Sequence, residues 1–417
     1  MVKIKSFKGV LYNKTEVASI ADVTAPPYDV ISPQEQQALY NKSEKNIVRL
    51  ILGKDDPSDN PTSDRYTRAA GFFDKWLADG TLKVDEEPTI YIYEQGYPYG
   101  DKENKRIGFI ALMKVGERDL NSVMMHEKTF LKPKEDRLNL IRAVKANLSP
   151  IFTLFEDKDS SITNKLRDYS KDIKPDINIC IDDVHHRLWR IKEAILVSQL
   201  IESMNGRDVF IADGHHRFEV AAQFASEGGF DHVMTYFSSL NDEALTIFPT
   251  HRIIKEIAPL DQDRLLNILG EKFTIKEADT LEGMLKSLNA ERRYAFGLYC
   301  GDKKIYLITL KDNTQPAITG LEDKSELWKK LDVVILHEFM LKRLLGIRLI
   351  EGNVAYVKDA GSAIEAVDRN DFKLAFFLRP TRIEQVQRIA MNGERMPHKS
   401  TYFYPKLLTG LVINKFD

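Results

Sequence analysis

The chain has 417 residues, of which 43% are hydrophobic and 29% charged, with a formal net charge of −2. That near-balance removes the electrostatic case for a nucleic-acid or anionic-membrane partner, and no apolar run is long enough to span a bilayer. Only Cys180 and Cys300 occur, in no paired motif, so neither a disulfide framework nor a thiolate zinc site is indicated.

The N-terminal Met-Val-Lys-Ile-Lys-Ser-Phe lacks the apolar core of a signal peptide, and a cytoplasmic protein of two or three domains is expected. Ala25 to Ile31 (Ala-Pro-Pro-Tyr-Asp-Val-Ile) reads as a rigid extended segment, because each proline fixes its own φ and restricts the residue before it. Ser32-Pro33 opens a short helix through Tyr40. Ile47 to Leu52 reads as a strand, Tyr66 to Leu77 as an amphipathic helix stopped near Gly80, and Thr89 to Glu94 as a strand. Arg106 to Val115 is a strongly apolar strand, and Val123 to Met125 leads into His126-Glu127-Lys128-Thr129. Lys134 to Ala146 has a helical stripe of Leu138, Ile141 and Val144. Strands at Ile151 to Phe155 and His186 to Ile191 precede a helix over Ala194 to Met204. His232 to Leu240 and Ala244 to Phe248 read as strands.

Further on, Leu260 to Lys272 and Leu281 to Leu288 are helical, and Ala295 to Cys300 with Lys304 to Leu310 form a hairpin. Leu327 to Leu345 reads as one long helix, Lys373 to Leu378 as a strand and Thr381 to Asn392 as a helix. Leu407 to Ile413 is an apolar terminal strand. No repeat or low-complexity segment occurs. The fold class is α+β with mixed sheets, since strands and helices do not alternate regularly. Three regions are expected: an N-terminal α/β region (1–105), a central phosphate-binding domain (106–255) and a C-terminal α+β domain (256–417) whose terminal loop returns to the site.

The most informative stretch is Val209 to Phe224, Val-Phe-Ile-Ala-Asp-Gly-His-His-Arg-Phe-Glu-Val-Ala-Ala-Gln-Phe. An apolar strand runs into Asp213-Gly214, and Phe218, Ala221, Ala222 and Phe224 then recur at helical spacing. Gly214, His215, His216 and Arg217 thus occupy a helix N-terminus, which suits an anion, and Arg217 offers a planar fork to phosphate oxygens. The alternative is a helix capped by Asp213 with solvent-facing histidines. Packing alone requires neither two histidines nor an arginine in that turn, so a phosphate-binding role is preferred.

Other candidates follow. Glu127, between His126 and Lys128, suits a general base or a metal ligand, or else a surface turn with compensating charges. Lys132 and Arg137 are candidate partners for a second phosphate, although charges on a helix such as Lys134 to Arg142 usually mark a solvated face. Asp183-Val184-His185-His186-Arg187 lacks the glycine and reads as an exposed turn. Phe248-Pro249-Thr250-His251-Arg252 ends a strand, and Thr250, His251 or Arg252 either line a pocket or serve structure alone. The polar and aromatic loop Met396 to Lys406 either closes over the central site, with Lys399, Ser400, Thr401 and Lys406 facing substrate or donor, or is a surface loop whose tyrosines pack on the domain. Trp76, Trp189 and Trp328 read as core or interface residues. No His-Glu-x-x-His spacing occurs, and Mg²⁺ held by Asp213 and substrate phosphate is the expected cofactor.

Taken together, Ala25 to Val30, His126 to Thr129, Pro133 to Arg137, Ile211 to Arg217 and Met396 to Lys406 resemble the family catalogued as domain of unknown function 1015, over nearly the whole chain. Asp213 to Arg217 also resembles the phosphate-binding turn of free-serine kinases of the ParB/sulfiredoxin-like superfamily. That resemblance implies a ParB/sulfiredoxin-like central domain and a kinase making O-phospho-L-serine from free L-serine, or running the reverse transfer. It also implies a His-Glu pair before the turn, to which His126-Glu127 correspond, with the glutamate as base. Catalytic roles then fall to Glu127, Asp213 and His216. No Walker or kinase-type Gly-rich loop is present, so ATP, ADP and pyrophosphate all stand as donors. The rival readings are a non-catalytic nucleotide- or phosphate-binding module and a metal-dependent phosphatase acting on phosphoserine. A homodimer is compatible with all three.

Overall fold

The computed structural model describes residues 2–60, 62–100, 102–116, 122–127, 131–257, 261–312, 314–316, 318–350 and 352–416. Lys128 and Thr129 of the His126 motif, and Leu260 of the helix expected over 260–272, lie outside the described residues. The chain is α+β with several sheets and separates into two compact units. One comprises Met1–Met125, Thr129–Thr246 and Pro405–Asp417; the other His126–Lys128 and Ile247–Tyr404.

The first unit is built on a mixed nine-stranded sheet. Its strands run in the order Val123–Met124, Val209–Asp213, Ile151–Phe155, His232–Ser239, Lys102–Lys114, Tyr91–Tyr99, Val184–Arg190 and Ile177–Ile181, with Ile4–Lys5 also on Lys102–Lys114. The expected division at residue 105 falls inside Lys102–Lys114, so the N-terminal segment and the central region share one sheet. The apolar run Ile107 to Met113 is buried because both faces of this central strand are covered. Ile92, Phe109, Ile151, Val209, Ile211, Phe218 and Phe237 make its core, each such side chain stabilising the fold by about 2 kcal/mol.

Ser32 and Glu35 form a capping box for the helix Pro33–Lys42, and Asp64 caps Arg65–Ala78. Several expectations change in this unit. Ile47 to Leu52 is not a strand but contains a helical turn, Val48–Ile51, because the Asn46 carboxamide accepts the Val48 N–H at 2.9 Å and starts the turn. The Asp183 to Arg187 stretch is an exposed turn only at Asp182 and Asp183. His185 to Arg187 lie in a strand, and His186 is buried with its Nδ1 2.7 Å from the Tyr93 hydroxyl. Leu407 to Ile413 is not a continuous strand; it is tied down by isolated bridges from Thr409 to Ala25 and Ile413 to Val10.

The second unit carries a six-stranded antiparallel sheet in the order Phe273–Ala278, Ile305–Leu310, Ala295–Tyr299, Leu374–Phe377, His251–Ile254, Val354–Val357. Strict alternation divides its side chains. Ile254, Phe296, Leu298 and Phe376 pack in one core; Ile253, Ala295, Tyr299, Ala375 and Phe377 pack in another. The sheet is therefore covered on both faces. The single helix expected over 327–345 is three pieces, Glu326–Lys329, Asp332–Val334 and the wide-turned Ile335–Leu344. Trp328 donates its indole N–H to the Arg395 carbonyl at 2.9 Å, and Asp332 pairs with Arg379 at 2.8 Å. Leu331 between them is extended, at φ −70° and ψ 135°, which breaks the helix there.

Candidate phosphate-binding site

Val209–Asp213 is a buried strand at an inner position of the first unit's sheet, and His215–Ser226 is the helix that follows. Pairing with Ile151–Phe155 slips by one residue between Ile211 and Asp213, which is a β-bulge. A bulge bends the strand and re-aims the side chains at its end. Gly214 then turns the chain at φ +93°, in the left-handed region. A Cβ there would lie 3.0 Å from Arg217 Nη2 and 3.0 Å from Ile151 Cγ2, so the glycine also makes room for the arginine. Helix N–H groups of the first turn have no carbonyl partner within their own helix and carry the positive end of its dipole.

Arg217 is held on two sides. Its Nη1 donates to the Pro150 carbonyl, and its Nη2 donates to Asp213 Oδ2 at 2.8 Å. The other Asp213 oxygen pairs with Lys406 Nζ. Lys406 is held in turn by its main chain. Gln95 Nε2 donates to its carbonyl at 2.9 Å, and the fully buried Arg106 donates to the carbonyl of Pro405 at 2.6 Å while stacking 4.6 Å from the Phe152 ring. The turn is thus an acidic residue flanked by two fixed cations. His215 is buried and His216 half-buried on the helix's first turn.

Arg137 joins Arg217 on one small cleft of the same unit, together with Tyr28, Ile51, Leu148, Ser149 and Val220 among others. The Arg137 guanidinium lies 4.0 Å from the Tyr28 ring centroid, donates to the Ile51 carbonyl at 2.7 Å and donates its Nε–H to Asp136 at 2.8 Å. Burial, then the Asp29 charge, push the Tyr28 hydroxyl up to about 12, against the opposing pull of Arg137 and Arg217. That hydroxyl stays protonated and is a hydrogen-bond donor near neutral pH. Tyr28 belongs to the Pro26-Pro27-Tyr28-Asp29 segment, where Tyr28–Val30 forms a 3-10 turn rather than the extended chain expected. The helix Leu131–Val144 that carries Arg137 is fastened to His215–Ser226 by Lys134 to Glu219 at 3.2 Å and Arg142 to Glu227 at 2.7 Å. Lys132 is exposed on its first turn.

In the second unit, His126 and Glu127 meet the loop beginning at Met396. Met396 donates its N–H to the His126 carbonyl at 2.6 Å, and His126 Nε2 is 3.0 Å from Thr401 Oγ1. Glu127 Oε1 accepts the Lys399 N–H at 3.1 Å and faces His398 Nδ1 at 3.1 Å. Lys399 sits at φ +54°, and its carbonyl accepts from Arg252 Nη2 at 3.0 Å. A left-handed non-glycine is retained only where its surroundings fix it, and here both peptide groups of Lys399 are bound by charged side chains. Ser400 Oγ donates to the Pro397 carbonyl, and Ser400 shares a pocket with Thr250, Arg252 and Asp332. His251 is placed differently from the expectation of a pocket residue. It lies in the sheet, edge-on to the Phe377 ring, with Nδ1 accepting the Leu378 N–H at 3.3 Å; burial, helped by Arg252, pulls it down to about 4 and keeps it neutral.

The residues around Asp213 fit a magnesium ion poorly. Each of its oxygens already faces a cation, and no group of three His, Cys, Asp or Glu side chains among the described residues could hold a metal. Asp213 here anchors Arg217 and Lys406.

The family model described as "Protein of unknown function (DUF1015)" matches residues 4–334. The chain belongs to the DUF1015 family. No curated protein matches this DUF1015 member. Among solved structures it is similar to a conserved hypothetical protein from Pyrococcus furiosus, at 14% identity and a TM-score of 0.35, over 72% of this chain and 92% of that one. It is also similar to a free serine kinase in complex with AMP, at 15% identity and a TM-score of 0.33, over 71% of this chain and 86% of that one. A third is SbnI with a C-terminal truncation from Staphylococcus aureus, at 11% identity and a TM-score of 0.36, over 72% and 85%. No helix among the described residues is long and apolar enough to cross a membrane.

Sequence reasoning passed over Arg106, Gln95 and Tyr28. A lone arginine at the head of an apolar strand was the available signal for Arg106, because a buried guanidinium must be satisfied by something. Nothing in the sequence marks Gln95 as the residue that holds Lys406 in place.

Proposed function

We propose that this DUF1015 member is a phosphotransferase that moves a phosphoryl group between a phosphate donor and the hydroxyl of free L-serine. The observation that carries the reading is the convergence of Arg137 and Arg217 on one cleft beside the Gly214 turn and the start of a helix. Phosphoryl transfer is catalysed chiefly by positioning and charge neutralisation, and two guanidiniums, a helix N-terminus and the Lys406 ammonium supply both for a di- or triphosphate. The resemblance of the Asp213 to Arg217 turn to free-serine kinases supports serine as the acceptor. Glu127 is assigned the proton of the serine hydroxyl. The serine oxygen forms the new P–O bond, the bond from phosphorus to the donor's leaving oxygen breaks, and the leaving group departs as ADP, AMP or inorganic phosphate. Mg²⁺ enters this reading only as a companion of the donor phosphates, and no step is routed through it.

The test is incubation of the purified chain with L-serine and, separately, ATP, ADP and pyrophosphate, with O-phospho-L-serine as the readout. Formation with any one donor supports the reading and names the donor. Absence with all three, with phosphate released from O-phospho-L-serine in water, makes the protein a phosphatase instead.

A further inference from the structure

Arg252 has no exposed surface to speak of and no carboxylate ion pair among the described residues. Its Nε donates to the His337 Nε2 at 3.2 Å, Nη1 to the Thr250 carbonyl and Nη2 to the Lys399 carbonyl at 3.0 Å. His337 is neutral, since burial and the Arg252 charge hold it well below its ordinary value. A guanidinium has five N–H groups, and three of these are thereby engaged, all by uncharged acceptors. Burial draws Arg252 down only to about 10, so it keeps its charge at neutral pH. The Glu127 carboxylate and Tyr356 favour that charge, but neither is in ion-pair contact with it, and a buried charge without a direct counter-ion is costly.

The same arginine lines a pocket with Thr250, Asp332, Arg379, Thr381, Gln385 and Ser400, all in the second unit. The Thr250 hydroxyl is buried there without a hydrogen-bond partner. Asp332 is spoken for by Arg379 at 2.8 Å, and Thr381 Oγ1 donates to the Ser400 carbonyl at 2.7 Å. The pocket therefore offers a hydroxyl and spare guanidinium N–H groups, which call for an oxygen acceptor, and the guanidinium favours an anionic one. Its volume, about 20 Å³, is that of a single oxygen atom rather than a whole ligand.

We propose that Arg252 and Thr250 form a carboxylate subsite, in which one oxygen of a small acid enters the pocket while the rest of the molecule stays at its mouth. Resting on the serine-kinase reading, this subsite holds the carboxylate of the amino-acid acceptor. Lys399 connects it to the proposed base, because its carbonyl binds Arg252 and its N–H binds Glu127. Acceptor anchor and base are thus tied to the two peptide groups of one residue, Lys399.

Calorimetric titration of the full chain with L-serine, L-serinamide, acetate and sodium chloride, without any donor, tests this. L-Serine binding is expected to weaken at least tenfold in Thr250→Val and in Arg252→Lys, acetate is expected to compete with serine, and L-serinamide is expected not to bind. Thr250→Val removes a hydroxyl that has no partner, so a purely structural role predicts an unchanged or higher melting temperature and unchanged serine affinity. Unchanged serine affinity in a folded Thr250→Val variant overturns the subsite, as does binding of chloride but not of serine or acetate. If serine binds with this dependence while no donor yields O-phospho-L-serine, the kinase reading fails and the carboxylate subsite stands.

Discussion

Gly214 allows the turn to be tested apart from any assumption about substrate. Replacing it by alanine forces a left-handed residue with a side chain, at φ +93°, which costs about 1–2 kcal/mol. The new Cβ also falls 3.0 Å from Ile151 Cγ2 and 3.0 Å from Arg217 Nη2. Ile151 is fully buried in a central strand and cannot yield, so crowding adds about 1 kcal/mol or more. Gly228 is the internal control. It has φ +83° at the other end of the same helix, with nothing within 4 Å of the site of a Cβ. Gly228→Ala therefore carries the backbone strain alone. Thermal unfolding should place Gly214→Ala below wild type by about 5–10 °C and Gly228→Ala by roughly half that, at about 2–4 °C per kcal/mol for a unit of this size. Inorganic phosphate or pyrophosphate binding, followed by calorimetry, should weaken about tenfold in Gly214→Ala, through the displaced Arg217, and stay at wild type in Gly228→Ala. Equal losses in the two variants, with phosphate affinity intact in both, would falsify the claim that Gly214 is there to seat Arg217.

Arg217→Ala should abolish most pyrophosphate affinity in a folded protein, and retention of that affinity removes Arg217 from the donor site. Lys406→Met should weaken donor binding about three- to tenfold while leaving the fold intact, because Arg106 and Gln95 hold the main chain there; unaltered binding by calorimetry excludes Lys406. Glu127→Gln keeps the acceptor for the Lys399 N–H, so it should lower kcat of O-phospho-L-serine formation at least about 100-fold with donor affinity unchanged, and a small change rules out general-base action. His186 and His251 are held neutral, at about 3 and about 4, and His337 well below its ordinary value, all chiefly by burial. Their folded values lie below the unfolded value of about 6.5, so the unfolded chain binds more protons and stability falls as pH drops from about 6.5 toward 4. At pH 5 His186 and His251 each contribute a loss of about 2 kcal/mol, and His337 adds a loss of the same sign. A urea midpoint that does not move between pH 7.5 and pH 5 contradicts their neutral burial.

Local signals carried much of this fold. The alternation and apolar runs at 106–115, 151–155 and 209–213 and the helix at 194–204 are legible because hydrophobic period and length agree with the final element. Failures occur where a single contact overrides the pattern. Asn46 turns the β-prone Ile47 to Leu52 into a helical turn, and the Trp328 and Asp332 anchors break a helix whose apolar periodicity is continuous. The polar strand Phe273–Ala278, with its exposed lysine and glutamate, has too weak a hydrophobic signal to stand out, yet it pairs along its length with Ile305–Leu310.

The candidate site divides along the same line. The turn at Asp213 to Arg217 could be read because its chemistry is contiguous: a strand end, a glycine and cations in one helical turn. Residues that act through distant contacts could be named only as candidates among others. Arg137 stacks on Tyr28 across a separation of more than a hundred positions in the sequence, and its neighbours Lys134 and Glu135 give the same charged-helix pattern whether it is buried or solvated. Arg252 stands in the sequence as one of three interchangeable pocket candidates, Thr250, His251 and Arg252, and the fold puts Arg252 and Thr250 on a pocket. Burial without a carboxylate in direct contact distinguishes it from His251, whose ring serves the sheet. The informative property of such a residue is an unfulfilled electrostatic demand, and that exists only once folding has removed the water that would meet it. A sequence reports which charges a chain has; the fold decides which of them still need a partner, and in this chain that asymmetry points to Arg252 and Thr250.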